Sequence, residues 1–263
     1  MTQMDLSGRR ALVTGGARGL GAGMAQALTA AGARVMIADV LKDAGEQTAA
    51  GLEGAGFVAL DITSDAAWEA AVAHTVTELG GLDIVVNNAG VEVTSLIIDT
   101  DPDELRTMLD VNVVGTMLGI KHAFRAMRPG GAAGLGGTVI NISSVAATIA
   151  FPGIAGYSGT KSAVDRITRI AAAESGRLGY GVRVNCIYPG LVATDMGVKL
   201  AVETSALGLF ESPDAAVGAV IGLTPSGRLG EVTDIADAVV FLASDRSAFV
   251  NGVGLPVDGG MGM

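Results

Sequence analysis

The sequence predicts an α/β fold, a doubly wound parallel sheet of seven strands with helices on both faces. Three observations predict it. Short apolar runs alternate with helical stretches from end to end, the pattern of strand–helix–strand units. The residues with the most distinctive chemistry fall just after predicted strands, at the edge where such sheets bind ligands. A chain of 263 residues, 49% hydrophobic and only 17% charged, supplies one large buried core and no sign of a second, so one domain spans 1–263. Strands are predicted at 9–14, 33–38, 56–60, 83–86, 137–142, 181–187 and 254–257. Helices are predicted at 19–31, 43–54, 64–80, 102–128, 156–178 and 233–243.

The first strand, R-R-A-L-V-T (9–14), runs into G-G-A-R-G-L-G (15–21) and an alanine-rich helix. Strand, glycine turn and helix start together make a phosphate cradle. Gly15 permits the tight turn, Gly19 lets the backbone approach a pyrophosphate, and Gly21 allows close helix packing. The helix N-terminus adds amide donors and a favourable dipole. Alone, a glycine cluster in a chain with 39 glycines would mark only a tight turn. The second strand, A-R-V-M-I-A-D (33–39), ends in Asp39, where a carboxylate accepts hydrogen bonds from the adenosine ribose. Its charge repels a 2′-phosphate and favours NAD over NADP. Arg18 in the glycine loop favours the opposite; Asp39 weighs more, because it stands directly beside the phosphate position.

Further on, Asp101 before Pro102, with Glu104 after, signals the start of the fourth helix. The run 130–137 (G-G-A-A-G-L-G-G) reads as a turn into the fifth strand. That strand delivers N-I-S-S (141–144), and thirteen residues after Ser144 comes Y-S-G-T-K (157–161). Tyr157 and Lys161, four apart, share one helix face. An ammonium beside a phenol favours the phenolate and is expected to pull a pKa of ~10 toward neutrality. With Ser144 holding a substrate oxygen against the phenol, the trio can pass a proton to or from a carbonyl or alcohol.

These pieces resemble the short-chain dehydrogenase/reductase family over essentially the whole chain. The matching segments are T-G-G-A-R-G-L-G (14–21), Asp39, A-L-D-I (59–62), N-N-A-G (87–90), Asn112 in D-V-N-V-V-G, Ser144, Y-S-G-T-K, V-R-V-N-C-I-Y-P-G-L-V-A-T (182–194) and V-D-G-G (257–260). Within the family the chain is similar to the bacterial NAD-dependent 3α(20β)-hydroxysteroid dehydrogenases, through A-R-G-L-G and A-D-V. The resemblance implies a Rossmann-type domain with Tyr157 as general acid/base and Lys161 lowering its pKa while holding the nicotinamide ribose. It implies Ser144 orienting the substrate oxygen, and Asn112 positioning a water beyond Lys161. Asn112 could instead satisfy a local backbone carbonyl. For the cofactor it implies Gly15, Arg18, Gly19, Leu20 and Gly21 at the phosphates and Asp61 and Ile62 at the adenine. Asn88, Ala89 and Gly90 would line the adenosine side; Pro189, Val192 and Thr194 would fix the carboxamide end. Asp61 could equally cap the helix starting near Ser64, and Asn87 reads as a tie between strands.

The family also implies a mobile substrate lid at about 194–228, where Leu207, Leu209 and Phe210 stand out; the plainer reading is a helical hairpin filling the surface. An apolar lid, with Val145 and Ile154 near the catalytic groups, points to a bulky apolar ketone or secondary alcohol, steroid-like or alicyclic, interconverted with NAD(H). Glu92 falls near the mouth of the pocket, where a solvated side chain is the simpler account. One alternative is an NADPH-dependent 3-oxoacyl carrier-protein reductase, which Arg18 suits and the acidic surface does not. Another is a non-catalytic NAD(H) sensor, against which the presence of both Tyr157 and Lys161 counts. Similar proteins are homotetramers built through the two long helices and the last strand, and a homotetramer is expected.

A net charge of −10 argues against nucleic acid or anionic membrane as partners. The uncharged stretch 129–160 is broken by glycines, Asn141, Ser143, Ser144 and Pro152, so no membrane span is expected. Residues 1–10 carry no apolar signal segment, and the lone Cys186 excludes an internal disulfide; both fit a cytoplasmic protein. Two histidines and one cysteine make a transition-metal site improbable. G-Y-S-G (156–159) lacks hydrolase spacing, and His74 and His122 sit in helical runs without triad partners.

Overall fold

The computed structural model describes residues 4–262. Among the described residues seven strands form one sheet: β1 (Arg10–Thr14), β2 (Arg34–Asp39), β3 (Gly56–Ala59), β4 (Ile84–Asn87), β5 (Gly137–Ile142), β6 (Val182–Pro189) and β7 (Gly254–Val257). Their spatial order is β3-β2-β1-β4-β5-β6-β7, every pair parallel. The helices are α1 (Gly19–Ala30), α2 (Lys42–Ala50), α3 (Asp65–Leu79), α4 (Pro102–Leu109), α5 (Gly115–Met127), α6 (Ala155–Leu178), α7 (Asp195–Ala206), α8 (Pro213–Gly222) and α9 (Val232–Ala243).

Strand alternation divides the core. Ala11 and Val13 of β1 face one side with Met24, Leu28, Ile235 and Val239 from α1 and α9. Leu12 faces the other with Trp68, Ile120 and Ala171 from α3, α5 and α6. Both faces are therefore covered, as a parallel sheet requires. Strand order reverses between β1 and β4, and the crevice above that reversal is the place for a ligand. Asn87 Nδ2 donates to Asn141 Oδ1 at 2.8 Å and Asn141 Nδ2 donates to Thr168 Oγ1 at 2.8 Å, so Asn87 ties β4 to β5 as expected.

Two stretches differ from the sequence reading. The helix predicted at 102–128 is α4 and α5 joined by a π turn, Asp110–Val114. Asn112 lies in that turn: its Nδ2 donates to the Val91 carbonyl (2.8 Å) and Thr160 Oγ1 (3.0 Å), and its Oδ1 accepts from the Val91 amide (2.9 Å). The widened turn pushes the side chain toward these partners, a common use of π bulges. The second stretch is 194–228, which holds the helices α7 and α8. Ser212, whose Oγ accepts from the Ala215 amide, and Pro213 at the first helical position mark the α8 start.

Among the described residues no helix is long and apolar enough to cross a membrane. Cys186 is a free, buried thiol in β6. His122 is buried with Nε2 2.7 Å from Asp65 Oδ1, stacked on Trp68, and serves packing.

Candidate active site

A cavity of about 510 Å³ opens over the carboxyl ends of the strands. Its nucleotide end is built by the turn between β1 and α1. Gly15 has φ +63° and Gly19 φ +56°, left-handed backbone that glycine adopts without strain. A Cβ on Gly21 would overlap the Gly15 carbonyl oxygen, and a Cβ on Gly15 would lie 2.8 Å from Ala89 Cα. A Cβ on Gly19 would meet nothing within 4 Å, so backbone is exposed there. Arg18 at the N-cap of α1 makes no side-chain cap, which leaves the first-turn amides free for an anion. The cradle fits a pyrophosphate.

Asp39 closes the end of β2 and is 8% exposed. Its Oδ2 accepts from the Ala17 amide and its Oδ1 from the Leu41 amide, both at 3.0 Å, so the carboxylate is fixed beside the glycine turn. Arg18 is exposed. Asp61 does not cap α3: its Oδ1 accepts from the Thr63 amide and hydroxyl, while Ser64 caps the helix through the Ala67 amide. Asn88 Nδ2 donates to the carbonyls of Thr14 (3.0 Å) and Gly15 (3.2 Å) and braces the turn from β4.

The catalytic end is built by β5 and α6. Ser144 follows β5 and its Oγ accepts from the Ala146 amide at 3.1 Å. Tyr157 and Lys161 lie in the first turns of α6, which Ser143 pins by donating to the Lys161 carbonyl at 2.8 Å. Lys161 is 5% exposed, and its Nζ donates to the Ile142 carbonyl at 2.8 Å and stands 5.6 Å from the centre of the Tyr157 ring. Burial brings the ammonium down to about 8. The phenol is pushed up to about 12, by burial first, with the hydrogen bond to Ser144 opposing and the charge of Glu92 adding. The expectation that the ammonium draws this phenol toward neutrality is not met. Desolvation of the buried phenol outweighs the attraction of the ammonium.

All the cofactor-binding residues inferred from the sequence line this cavity: Gly15, Arg18, Gly19, Leu20, Gly21, Asp39, Asp61, Ile62, Asn88, Ala89, Gly90, Tyr157, Lys161, Pro189, Val192 and Thr194. Ser144 lines it too, whereas Asn112 stands behind Gly90, whose Cβ would lie 3.1 Å from Asn112 Oδ1. Thr194 also caps α7, accepting from the Gly197 amide at 3.4 Å. Val145 and Ile154 are in the lining as expected. Leu207, Leu209 and Phe210 are not: Phe210 stacks on Phe151 with ring centres 5.9 Å apart, and the two leucines approach Gly153. The apolar lining comes instead from Met196, Leu200, Val220, Ile149, Phe151 and Met261. These residues belong to separate segments with no shared motif, so only their i, i+4 placement in α7 (Met196, Leu200) carried a sequence signal. Glu92 is also corrected: it is 6% exposed, not solvated.

A glycine cradle at the switch point of a parallel sheet, with serine, tyrosine and lysine converging beside it, defines a dinucleotide-dependent oxidoreductase. The family profile described as Enoyl-(Acyl carrier protein) reductase matches residues 15–262. The chain belongs to the short-chain dehydrogenase/reductase family, whose enzymes use a nicotinamide cofactor. It is 38% identical over 262 residues to the trans-4-hydroxycyclohexanecarboxylate dehydrogenase of Sinomonas cyclohexanicum, covering 95% of this chain and 91% of that one. It is 39% identical over 256 residues to the 3-alpha-(or 20-beta)-hydroxysteroid dehydrogenase of Mycobacterium tuberculosis, covering 97% and 90%. A 3-ketoacyl-(acyl-carrier-protein) reductase from Brucella melitensis, solved in complex with NADH, superposes with a TM-score of 0.87 at 30% identity, covering 98% of this chain and all of that one.

Proposed function

We propose that this protein is an NAD(H)-dependent oxidoreductase that interconverts a bulky, apolar secondary alcohol, alicyclic or steroid-like, and its ketone. The observation that carries the reading is the convergence of Ser144, Tyr157 and Lys161 in the same cavity as the glycine cradle and Asp39. Relatives named for a cyclohexane acid and for steroids support the substrate class. So does the lining by Ile149, Phe151, Ile154 and Leu200.

The cradle at Gly15–Gly21 holds the pyrophosphate, Asp39 the adenosine ribose, and Lys161 the nicotinamide ribose. Bound nicotinamide supplies or accepts hydride at the carbinol carbon and, when oxidised, adds positive charge to the site. Ser144 donates to the substrate oxygen and holds it against Tyr157. In reduction the neutral phenol donates its proton to that oxygen, and a phenol held near 12 is fully protonated at neutral pH. In oxidation the phenol must first be acidified, and the Lys161 ammonium supplies a charge for this while its remaining N–H groups would hold the ribose. Helices α7 and α8 act as the lid, with Met196, Leu200 and Val220 over the substrate. The soluble homotetramer of the cytoplasm remains part of the same proposal.

A carrier-protein reductase is the second reading, favoured by the likeness to the Brucella melitensis enzyme. The deciding experiment compares initial rates with NADH and NADPH on cyclohexanone, a steroid ketone and a 3-oxoacyl thioester. Faster turnover of the thioester with NADPH would replace the first reading by the second.

A further inference from the structure

Glu92 lies in the segment after β4 and lines the cavity, yet only 6% of it is exposed. Its Oε1 accepts from the Thr94 hydroxyl at 2.7 Å. Its Oε2 is enclosed and has no hydrogen-bond partner among the described residues. A neighbouring cation is engaged elsewhere: Lys199 Nζ of α7 donates to the Glu92 backbone carbonyl at 3.0 Å and pairs with Glu203 Oε1 at 3.4 Å. A carboxyl buried in an apolar lining with an unused oxygen is destabilising unless a partner arrives. The groups around it are Thr94 from its own segment, Lys199 and Glu203 from α7, and Tyr157 from α6. None of these donates to Oε2.

We infer that Glu92 is a specificity residue that accepts a hydrogen bond from a second hydroxyl of the substrate, so that alicyclic diols and hydroxyketones are preferred over simple cyclic alcohols. The inference rests on the reading of this cavity as a secondary-alcohol site and adds the chemistry of the far end of the substrate. The terminal torsion of a glutamate is broad, so the carboxyl can turn an oxygen toward the cavity once a donor is present. A hydroxyl suits Glu92 in either protonation state, donating to the carboxylate and accepting from the acid. Burial raises the pKa of Glu92, the Thr94 hydrogen bond and Lys199 oppose, and Glu203 adds to the rise. A carboxylate substituent would meet like charge at the ionised Glu92, and an apolar one would leave Oε2 unpaired.

The test compares kcat/KM for cyclohexanol, trans-1,4-cyclohexanediol and trans-4-hydroxycyclohexanecarboxylate in the wild type, Glu92→Leu and Glu92→Gln, with NADH binding as the check on folding. The diol is expected to exceed cyclohexanol by about tenfold or more in the wild type. That ratio should fall toward one in Glu92→Leu and be partly kept in Glu92→Gln, whose amide oxygen still accepts. Equal rates for diol and cyclohexanol in the wild type, preference for the carboxylate, or an unchanged ratio in Glu92→Leu would each overturn the inference. If Glu92→Leu does not fold, the wild-type ratio and Glu92→Gln decide. Failure of the wild type on every alcohol while NADH binds would instead refute the alcohol-dehydrogenase reading, and this inference with it.

Discussion

Lys161 Nζ donates to the carbonyl of Ile142 at 2.8 Å while standing 5.6 Å from the centre of the Tyr157 ring. The ammonium that the sequence pairs with the phenol is thus anchored to the end of β5. One of its three N–H groups is used there, and the other two remain for a bound ligand. The two residues predict different behaviour.

Replacing Tyr157 by Phe removes the proton that the substrate oxygen needs. Turnover should fall by at least about 100-fold. NADH affinity, measured by fluorescence titration, should stay within a few-fold of wild type, because the cradle lies between β1 and α1, with Asp39 on β2, rather than on α6. Full activity in this variant would remove the basis of the mechanism.

Lys161 has a folded pKa of about 8 against an ordinary 10.5. Between these values the unfolded chain binds more protons than the folded one, so this group's contribution to stability rises with pH across pH 8 to 10.5. Relative to Lys161→Met, the wild type should be penalised by up to about 3 kcal/mol below pH 8, a penalty that fades by pH 10.5. Urea melts of both proteins at stepped pH test this; a difference independent of pH would contradict it.

Gly21→Ala and Gly19→Ala should fail in different ways. The first forces a methyl into the Gly15 carbonyl and should destabilise the fold by about 1–3 kcal/mol. The second meets no atom within 4 Å but keeps φ at +56°, a strain of about 1 kcal/mol, and should act chiefly on cofactor affinity. Thermal melts with and without NADH separate the two; equal loss of stability in both would count against the cradle.

Asp39→Ala removes the charge expected to repel a 2′-phosphate. The ratio of kcat/KM for NADPH over NADH should rise by about tenfold or more, an effect of like-charge relief. Some loss of stability is expected as well, since the Ala17 and Leu41 amides lose their acceptor. An unchanged ratio would mean that Asp39 does not read the ribose.

The strands and the cofactor cradle were legible because their signals are local. A short apolar run, a glycine turn and an acidic strand end are written in consecutive residues, and β1 with its turn and β2 with Asp39 appear where the sequence puts them. The helix at 102–128 was legible as helix but not as two, because the π turn at Asn112 is stabilised by Val91 and Thr160, far away in the chain. Glu92 looked like a surface residue, for nothing in V-E-V-T tells that α7 folds over it.

By itself, then, the sequence determined the succession of strands and helices, the glycine turn after β1 and the serine, tyrosine and lysine of the candidate site, since each depends on backbone preference and short spacing. Tertiary structure alone decided how burial shifts Tyr157 and Lys161, which apolar residues line the cavity and how deeply Glu92 is enclosed. Burial and charge proximity depend on residues brought together across the sheet, and a pKa answers to that whole surrounding rather than to a neighbour four residues away.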